Sequence, residues 1–116
     1  VVVDDSSLLR DRIKDLFKNL KNVEIVGEAV TGLEGLHLIE KIKPDLAILD
    51  IRLPEMNGIE ILKKVREKGI NIKICMLTSY PYKQYKERCL AEGSDYFFDK
   101  NRDIQQILDV ITKLAN

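Results

Sequence analysis

The chain has 116 residues, which is enough for one domain with a real core and too few for two. Its 19 lysines and arginines balance 19 aspartates and glutamates, so the zero net charge argues against a nucleic acid or an anionic membrane as a direct partner. Because the sequence shows neither a membrane-length apolar run nor a secretion leader, we expect a cytoplasmic domain over residues 1–116.

Five apolar runs alternate with five helix-period segments, beginning with a strand at 1–3. Ser6 or Ser7 can cap the first helix, and a second strand at 23–29 precedes a second helix that ends before Pro44. The apolar positions of these two helices are Leu9, Ile13, Leu16, Phe17 and Leu20, then Gly35, Leu36, Leu38, Ile39 and Ile42.

The second half of the chain repeats this pattern. A third strand at 45–50 is followed by a helix with Gly69 past its end. A fourth strand at 72–78 precedes a helix with Pro81 in its first turn, which runs to Gly93. A short strand at 96–98 leads to the last helix. The apolar stripes of the third and fifth helices are Ile59, Leu62 and Val65, then Ile104, Ile107, Leu108, Ile111 and Leu114.

This alternation predicts an α/β fold with a five-stranded parallel sheet and helices on both faces. Right-handed crossovers leave few topologies, of which the doubly wound, flavodoxin-like (βα)5 order 2-1-3-4-5 is the best candidate. Its ligand crevice lies beside strands 1 and 3 at their carboxyl ends. Cys75 and Cys89 lack CxxC spacing, so we expect buried thiols of a reducing compartment.

Polar residues follow the strands at that predicted edge. Asp4 and Asp5 end strand 1, Asp50 ends strand 3, Thr78 ends strand 4 and Lys100 follows strand 5. Carboxylates packed together repel one another unless a cation neutralises them. Mg²⁺ is the natural cation, because it prefers oxygen ligands and takes one or two carboxylates together with a phosphate oxygen.

Such a cluster suits phosphoryl transfer to a carboxylate. The bound metal would let Asp50 attack a phosphoryl group by bridging the two negative charges. Lys100 would supply a mobile positive charge for another phosphoryl oxygen, and the Thr78 hydroxyl would donate to a third. The product would be an aspartyl phosphate.

Five segments together carry a resemblance to a known family. They are VDDS at 3–6, PDLAILDIRLP at 44–54, MNG at 56–58, LTS at 77–79 and DK at 99–100. In this order, at these strand ends, the chain resembles the CheY-like receiver domain of bacterial two-component response regulators over essentially its whole length.

The resemblance implies a role for each matching residue. Asp50 would be the phosphoacceptor. Asp5 would bind Mg²⁺ directly, Asp4 mainly through water, and the backbone carbonyl of Arg52 would complete the protein ligands.

It also implies a switch. Thr78 would move to the phosphoryl group, Lys100 would pair with that group, and Phe97 would swing inward. The face formed by helix 4, strand 5 and helix 5 would then change shape for a downstream effector protein or output domain, and could pair two copies in a homodimer. A histidine kinase or histidine phosphotransfer protein would donate the phosphoryl group. The domain would be a signalling switch that loses its phosphate by slow autodephosphorylation, not an enzyme with small-molecule turnover.

Two positions depart from the family pattern, and two others bear on the lifetime of the phosphoryl group. Asn101 follows Lys100 where many receivers have proline, so we expect a trans peptide there. Ser79 replaces a smaller residue and narrows access to the phosphoryl group. Arg52 and Tyr80, both bulky, occupy positions that tune phosphate loss in the family, which predicts slow hydrolysis.

Three other functions compete with this interpretation. A metal-dependent phosphohydrolase with an aspartyl nucleophile commonly has a second acid where this chain has Arg52. A flavin carrier of the flavodoxin type needs a phosphate loop after strand 1, where Asp4 and Asp5 would repel phosphate. A receiver-like scaffold that only binds a partner would not need Asp5, Asp50, Thr78 and Lys100 together. The sequence also stops at the fifth helix, which leads us to expect no output domain within it.

Overall fold

A computed structural model describes residues 1–115 as five strands that alternate with five helices. Asn116, the last residue of the predicted domain, lies outside the described residues. The strands are β1 (Val2–Val3), β2 (Glu28–Ala29), β3 (Leu46–Leu49), β4 (Lys73–Thr78) and β5 (Tyr96–Asp99). The helices are α1 (Ser7–Phe17), α2 (Gly32–Ile42), α3 (Gly58–Glu67), α4 (Lys83–Ala91) and α5 (Ile104–Ala115).

The strands form one parallel sheet in the order β2-β1-β3-β4-β5, which confirms the predicted topology. Val3 pairs with Leu49, and Leu49 pairs in turn with Met76. Thr78 pairs with Asp99 on the edge strand β5. This register brings the carboxyl ends of β1, β3, β4 and β5 to one edge of the sheet.

Two apolar layers cover the sheet, one on each face. Helices α1 and α5 bury Ile13, Phe17, Ile107 and Ile111 on one face. Helices α2, α3 and α4 cover the other with Leu36, Ile39, Ile61, Leu62, Val65 and Cys89. The three inner strands β1, β3 and β4 are therefore buried on both sides, which explains their nearly continuous apolar sequences.

Both cysteines are free and buried, as predicted. Burial raises the pKa of the Cys75 thiol to about 12 and that of the Cys89 thiol to about 11. Both thiols are therefore protonated and unreactive at neutral pH.

The strand bounds agree with the sequence prediction to within one residue except at the start of β2, and helices α1 and α4 are shorter than predicted, with α1 ending at Phe17 before Leu20. Strand β2 holds only two residues instead of 23–29: Glu28 pairs with Val2 and Ala29 with Val3 on β1. Helix α4 begins at Lys83, after Pro81. The Tyr82 N–H donates to the Tyr80 carbonyl at 2.8 Å, and Tyr82 itself is extended, so this segment belongs to the loop.

Within residues 1–115, no helix combines the length and the apolar character that crossing a membrane requires.

Candidate functional site

Three carboxylates meet at the carboxyl edge of β1 and β3. One oxygen from each of Asp4, Asp5 and Asp50 lies within 4.8 Å of the others. The sheet hydrogen bonds continue to these acids, since the Asp50 N–H donates to the Val3 carbonyl at 2.9 Å and the Asp4 N–H to the Ala29 carbonyl at 3.1 Å. Asp4 and Asp50 are 2% and 5% exposed, whereas Asp5 faces solvent.

Lys100 bridges the two buried acids. Its Nζ lies 2.9 Å from Asp50 Oδ2 and 2.7 Å from Asp4 Oδ2. The bond to Asp50 is a hydrogen bond, whereas the contact with Asp4 is an ion pair without hydrogen-bond alignment. Asp4 Oδ1 accepts the Ser6 N–H at 2.8 Å. One ammonium thus neutralises part of a three-carboxylate cluster.

Burial and mutual contact shift the pKa values of this pair. Burial raises the pKa of Asp50 above its ordinary value; the Lys100 ammonium opposes the shift, and the negative charge of Asp4 adds to it. Burial alone would lower the pKa of Lys100, but the contacts with Asp4 and Asp50 outweigh it and leave that pKa raised. The ammonium therefore stays charged at neutral pH, in a site that still favours additional positive charge.

The donor set fits Mg²⁺. All three side chains offer hard oxygen ligands, and Asp5 leaves one side open to water and to a phosphoryl group. The buried Oδ2 of Asp4 has the Lys100 ammonium as its only close partner, at 2.7 Å, so it could accept from a metal-bound water when that ammonium moves away. Arg52 lies two residues beyond Asp50 in the loop that joins β3 to α3, where its carbonyl could complete the set.

Residues 51–57 of that loop are held at the start and in the middle by the N–H groups of two glycines. The Gly32 N–H donates to the Pro54 carbonyl at 3.0 Å, and the Gly58 N–H to the Ile51 carbonyl at 2.8 Å. A Cβ on Gly32 would lie 1.6 Å from the Met56 oxygen, and one on Gly58 would lie 2.0 Å from the Asp50 oxygen. Only glycine permits these approaches. The sequence signal was a glycine directly after each helix cap, Thr31 and Asn57.

Thr78 and Phe97 lie on the neighbouring strands. Thr78 is fully buried at the end of β4, where its Oγ1 accepts the Tyr80 N–H at 2.9 Å. Its carbonyl accepts the Lys100 N–H at 2.9 Å. Phe97 pairs with Met76 on β4 and is half-buried against the α2–α4 layer. The two predicted switch residues therefore lie two rungs apart on one strand pair.

Sequence reasoning missed Arg10. Its Nη1 donates to the Asp4 carbonyl at 2.7 Å, and its Nε lies 3.2 Å from Glu28 Oε1 at the end of β2. Lys14 holds the other oxygen of Glu28 at 3.1 Å. The available signal was a cation in the first turns of α1 with an acid at the end of the adjacent strand.

The two positions expected to tune phosphate loss touch each other at the rim. The Arg52 guanidinium lies 3.8 Å from the centroid of the Tyr80 ring, a cation–π contact. The Lys100–Asn101 peptide is trans, since residues 1–115 contain no cis peptide bond.

Comparison with known proteins identifies relatives of the chain. The model of the response regulator receiver domain family matches residues 1–112. The uncharacterized transcriptional regulatory protein YhcZ of Bacillus subtilis is 34% identical over 108 residues, which cover 93% of this chain and 50% of that protein. The nitrate/nitrite response regulator protein NarL of Escherichia coli is 31% identical over 115 residues, 99% of this chain and 53% of that protein.

A solved structure agrees with these relatives. It is a DNA-binding response regulator of the LuxR family from Staphylococcus aureus, with a TM-score of 0.89 and 32% identity, covering 99% of this chain and 97% of that chain. The chain spans about half the length of the curated relatives it matches.

Proposed function

Since the chain belongs to the response regulator receiver domain family, we propose that it accepts a phosphoryl group on Asp50 and thereby switches a signalling surface. The observation that carries this proposal is the cluster of Asp4, Asp5 and Asp50 bridged by Lys100. The partly exposed position of the cluster allows a phosphodonor to reach it.

In the proposed reaction, a carboxylate oxygen of Asp50 attacks phosphorus as the bond to the donor nitrogen of a phosphohistidine breaks. The donor imidazole leaves with that electron pair and takes up a proton from solvent. Asp5, Asp50 and the Arg52 carbonyl would hold Mg²⁺, with Asp4 acting mainly through a bound water. When bound, the metal supplies charge that neutralises the approaching phosphoryl oxygens.

Lys100 changes partner in this scheme. Its ammonium starts between Asp4 and Asp50 and moves to a phosphoryl oxygen once Asp50 carries the phosphoryl group as an acyl phosphate. Thr78 gives up the Tyr80 N–H and donates its hydroxyl to another phosphoryl oxygen. Both residues connect the site to β5, because the Thr78 carbonyl accepts the Lys100 N–H.

The proposed output is the face formed by α4, β5 and α5. Movement of Thr78 would leave room for Phe97 to turn inward and would reshape that face, biasing an existing two-state equilibrium. A histidine kinase or histidine phosphotransfer protein would be the cytoplasmic donor. An effector protein or an output domain would read the face, and a homodimer could form through it. Because the proposed product is the phosphorylated domain itself, we propose a switch and not a turnover enzyme.

Intact-mass measurement after incubation with acetyl phosphate and Mg²⁺ tests the proposal. We expect a gain of about 80 Da, one phosphoryl group, that disappears on treatment with hydroxylamine. Asp109→Asn, at an exposed position of α5, should still gain the group, and Asp50→Asn should not. No adduct on the wild-type protein would favour a phosphorylation-independent scaffold instead.

A further inference from the structure

The loop that carries Lys100 is closed by two aspartates that bind each other's backbone. Asp103 Oδ2 accepts the Asp99 N–H at 2.9 Å, and the Asp99 carbonyl accepts the Asp103 N–H at 2.8 Å. Asp99 Oδ1 also accepts the Asn101 N–H at 2.8 Å. Lys100 is thus enclosed in a ring of three hydrogen bonds, the Asp99–Asp103 lock.

The lock joins β5 to a helix that is itself anchored. The second oxygen of Asp103 accepts a side-chain N–H of Gln106 at 3.2 Å, and the Asp103 side chain is 13% exposed. One turn further, Ile107 and Ile111 are buried against the sheet. Asp103 therefore holds the end of β5 with one oxygen and the first turn of α5 with the other.

Lys100 needs such support because its side chain spans a long distance. It leaves the edge strand β5 and reaches Asp50 at the end of β3 and Asp4 at the end of β1. Neighbouring strands lie about 4.8 Å apart, so β3 is roughly 10 Å from β5 and β1 is farther. A flexible lysine stem extended over that distance tolerates little displacement of its backbone.

We propose that Asp103, acting through Asp99, is a positioning residue that sets the reach of Lys100 into the acid cluster. The inference rests on the proposed function, and it adds a requirement outside the strands that carry the acids. The chain continues from Lys100 with Asn101, whose φ is not fixed by a ring, so the Asp99–Asp103 lock supplies the rigidity.

Three variants separate positioning from general stability. Asp103→Ala removes the acceptor for the Asp99 N–H. Asp103→Asn keeps an oxygen at that place without the charge. Asp109→Ala is the matched control, an exposed aspartate of the same helix. For each full-length variant we would measure the rate of phosphorylation by acetyl phosphate, the Mg²⁺ dissociation constant, the free energy of unfolding, and the NMR signal of the Lys100 ammonium protons.

The expected result is a selective loss. Asp103→Ala should phosphorylate at least about tenfold more slowly. It should bind Mg²⁺ at least as tightly as the wild type, because the acids lie on β1 and β3 and a displaced Lys100 no longer competes with the metal for them. Asp103→Asn should recover most of the rate, and Asp109→Ala should lose none. A rate for Asp103→Ala equal to that of the control would overturn the inference, as would a parallel loss of Mg²⁺ affinity.

The NMR measurement keeps this inference separate from the proposed function. Held between two carboxylates, the Lys100 ammonium should give a slowly exchanging signal in the wild type and in Asp109→Ala, which broadens or disappears in Asp103→Ala. If the wild type takes no phosphoryl group but shows this pattern, the proposed function fails and the positioning stands. An unchanged ammonium signal in Asp103→Ala refutes the positioning.

Discussion

Two clusters of charge lie at opposite edges of the same sheet, and they are built in contrasting ways. Arg66, Lys73 and Asp95 lie where the strands begin, and we call them the amino-edge cluster. Arg66 donates to the carbonyls of Gly93 and Ile72 at 3.0 and 2.8 Å and to Asp95 at 3.1 Å. Asp95 also accepts the backbone N–H of Ile74 on β4 at 2.8 Å. These contacts tie the end of α3 and the start of β4 to the loop that precedes β5.

The acid site at the carboxyl edge, Asp4, Asp5, Asp50 and Lys100, is balanced differently. Three carboxylates face one ammonium, and two of them are almost fully buried. The amino-edge cluster satisfies the Arg66 donors with backbone carbonyls and Asp95, whereas the acid site retains an excess of negative charge. The difference teaches that a charged cluster indicates function when its own partners leave it unbalanced, since the imbalance is what an incoming cation can relieve.

The largest expected effect is the loss of phosphorylation in Asp50→Asn. The amide cannot attack phosphorus, so incorporation from acetyl phosphate should fall below detection while the circular dichroism spectrum stays native. Arg66→Ala, measured beside it under conditions where it is folded, should incorporate the group at the wild-type level. Strong phosphorylation of Asp50→Asn at another residue would break the contrast between the two clusters.

Arg66→Ala should produce the largest change in stability. It removes hydrogen bonds to the two loops that hold Ile72 and Gly93–Asp95 and leaves their carbonyls without this donor, so we expect a loss of about 2–3 kcal/mol in urea unfolding. Lys63→Ala, an exposed position on the same helix, is the control and should change little. A loss for Arg66→Ala no larger than that of the control would mean that the amino-edge cluster is not structural.

Lys100→Met should bind Mg²⁺ more tightly, by about tenfold. The ammonium occupies the same carboxylates that a metal would use, so its removal deepens the negative charge of the acid site. Isothermal titration calorimetry measures the affinity, with Lys73→Met as the control because it removes one positive charge at the opposite edge. Equal or weaker Mg²⁺ binding by Lys100→Met would show that the lysine does not compete for the acids.

The smallest effect concerns pH. Burial raises the pKa of Asp50 in the folded state above its ordinary value of 3.8, so the folded protein binds this proton more tightly than the unfolded chain. The contribution of Asp50 to stability is therefore greatest below pH 3.8 and declines as the pH rises through the folded pKa. Without metal, the stability advantage of Asp50→Asn over the wild type should grow from about pH 4 to 7 in urea unfolding. An advantage that shrinks over this range would contradict the assigned direction.

The fold was largely predictable because its signals are local. Apolar runs alternating with helical stripes determine the elements, and the handedness of crossovers restricts their order. The predicted length of β2 was wrong because an apolar run does not show which of its residues pair with a neighbouring strand, and here only Glu28 and Ala29 pair with β1. The start of α4 was wrong because the Tyr80 and Tyr82 N–H groups are committed to turn contacts that Pro81 alone does not reveal.

The site divides in the same way. That Asp4, Asp5 and Asp50 would lie together follows from strand order, and the structure places them within reach of one another. Their roles remain predictions. The bridge from Lys100 to two acids, and the contact of Arg10 with the Asp4 carbonyl, could not be read from sequence. They depend on how far a side chain reaches across strands that are distant in the chain.

The two glycines that flank the loop after Asp50 set a condition for protein engineering. The Met56 and Asp50 carbonyl oxygens lie so close to Gly32 and Gly58 that neither glycine has space for a Cβ atom. The shape of the loop therefore depends on direct backbone packing against the starts of α2 and α3. Grafting the aspartates and the lysine onto another parallel sheet would reproduce the charges but not the backbone packing that shapes the loop. A functional graft would also have to include the first residues of α2 and α3, with their glycines.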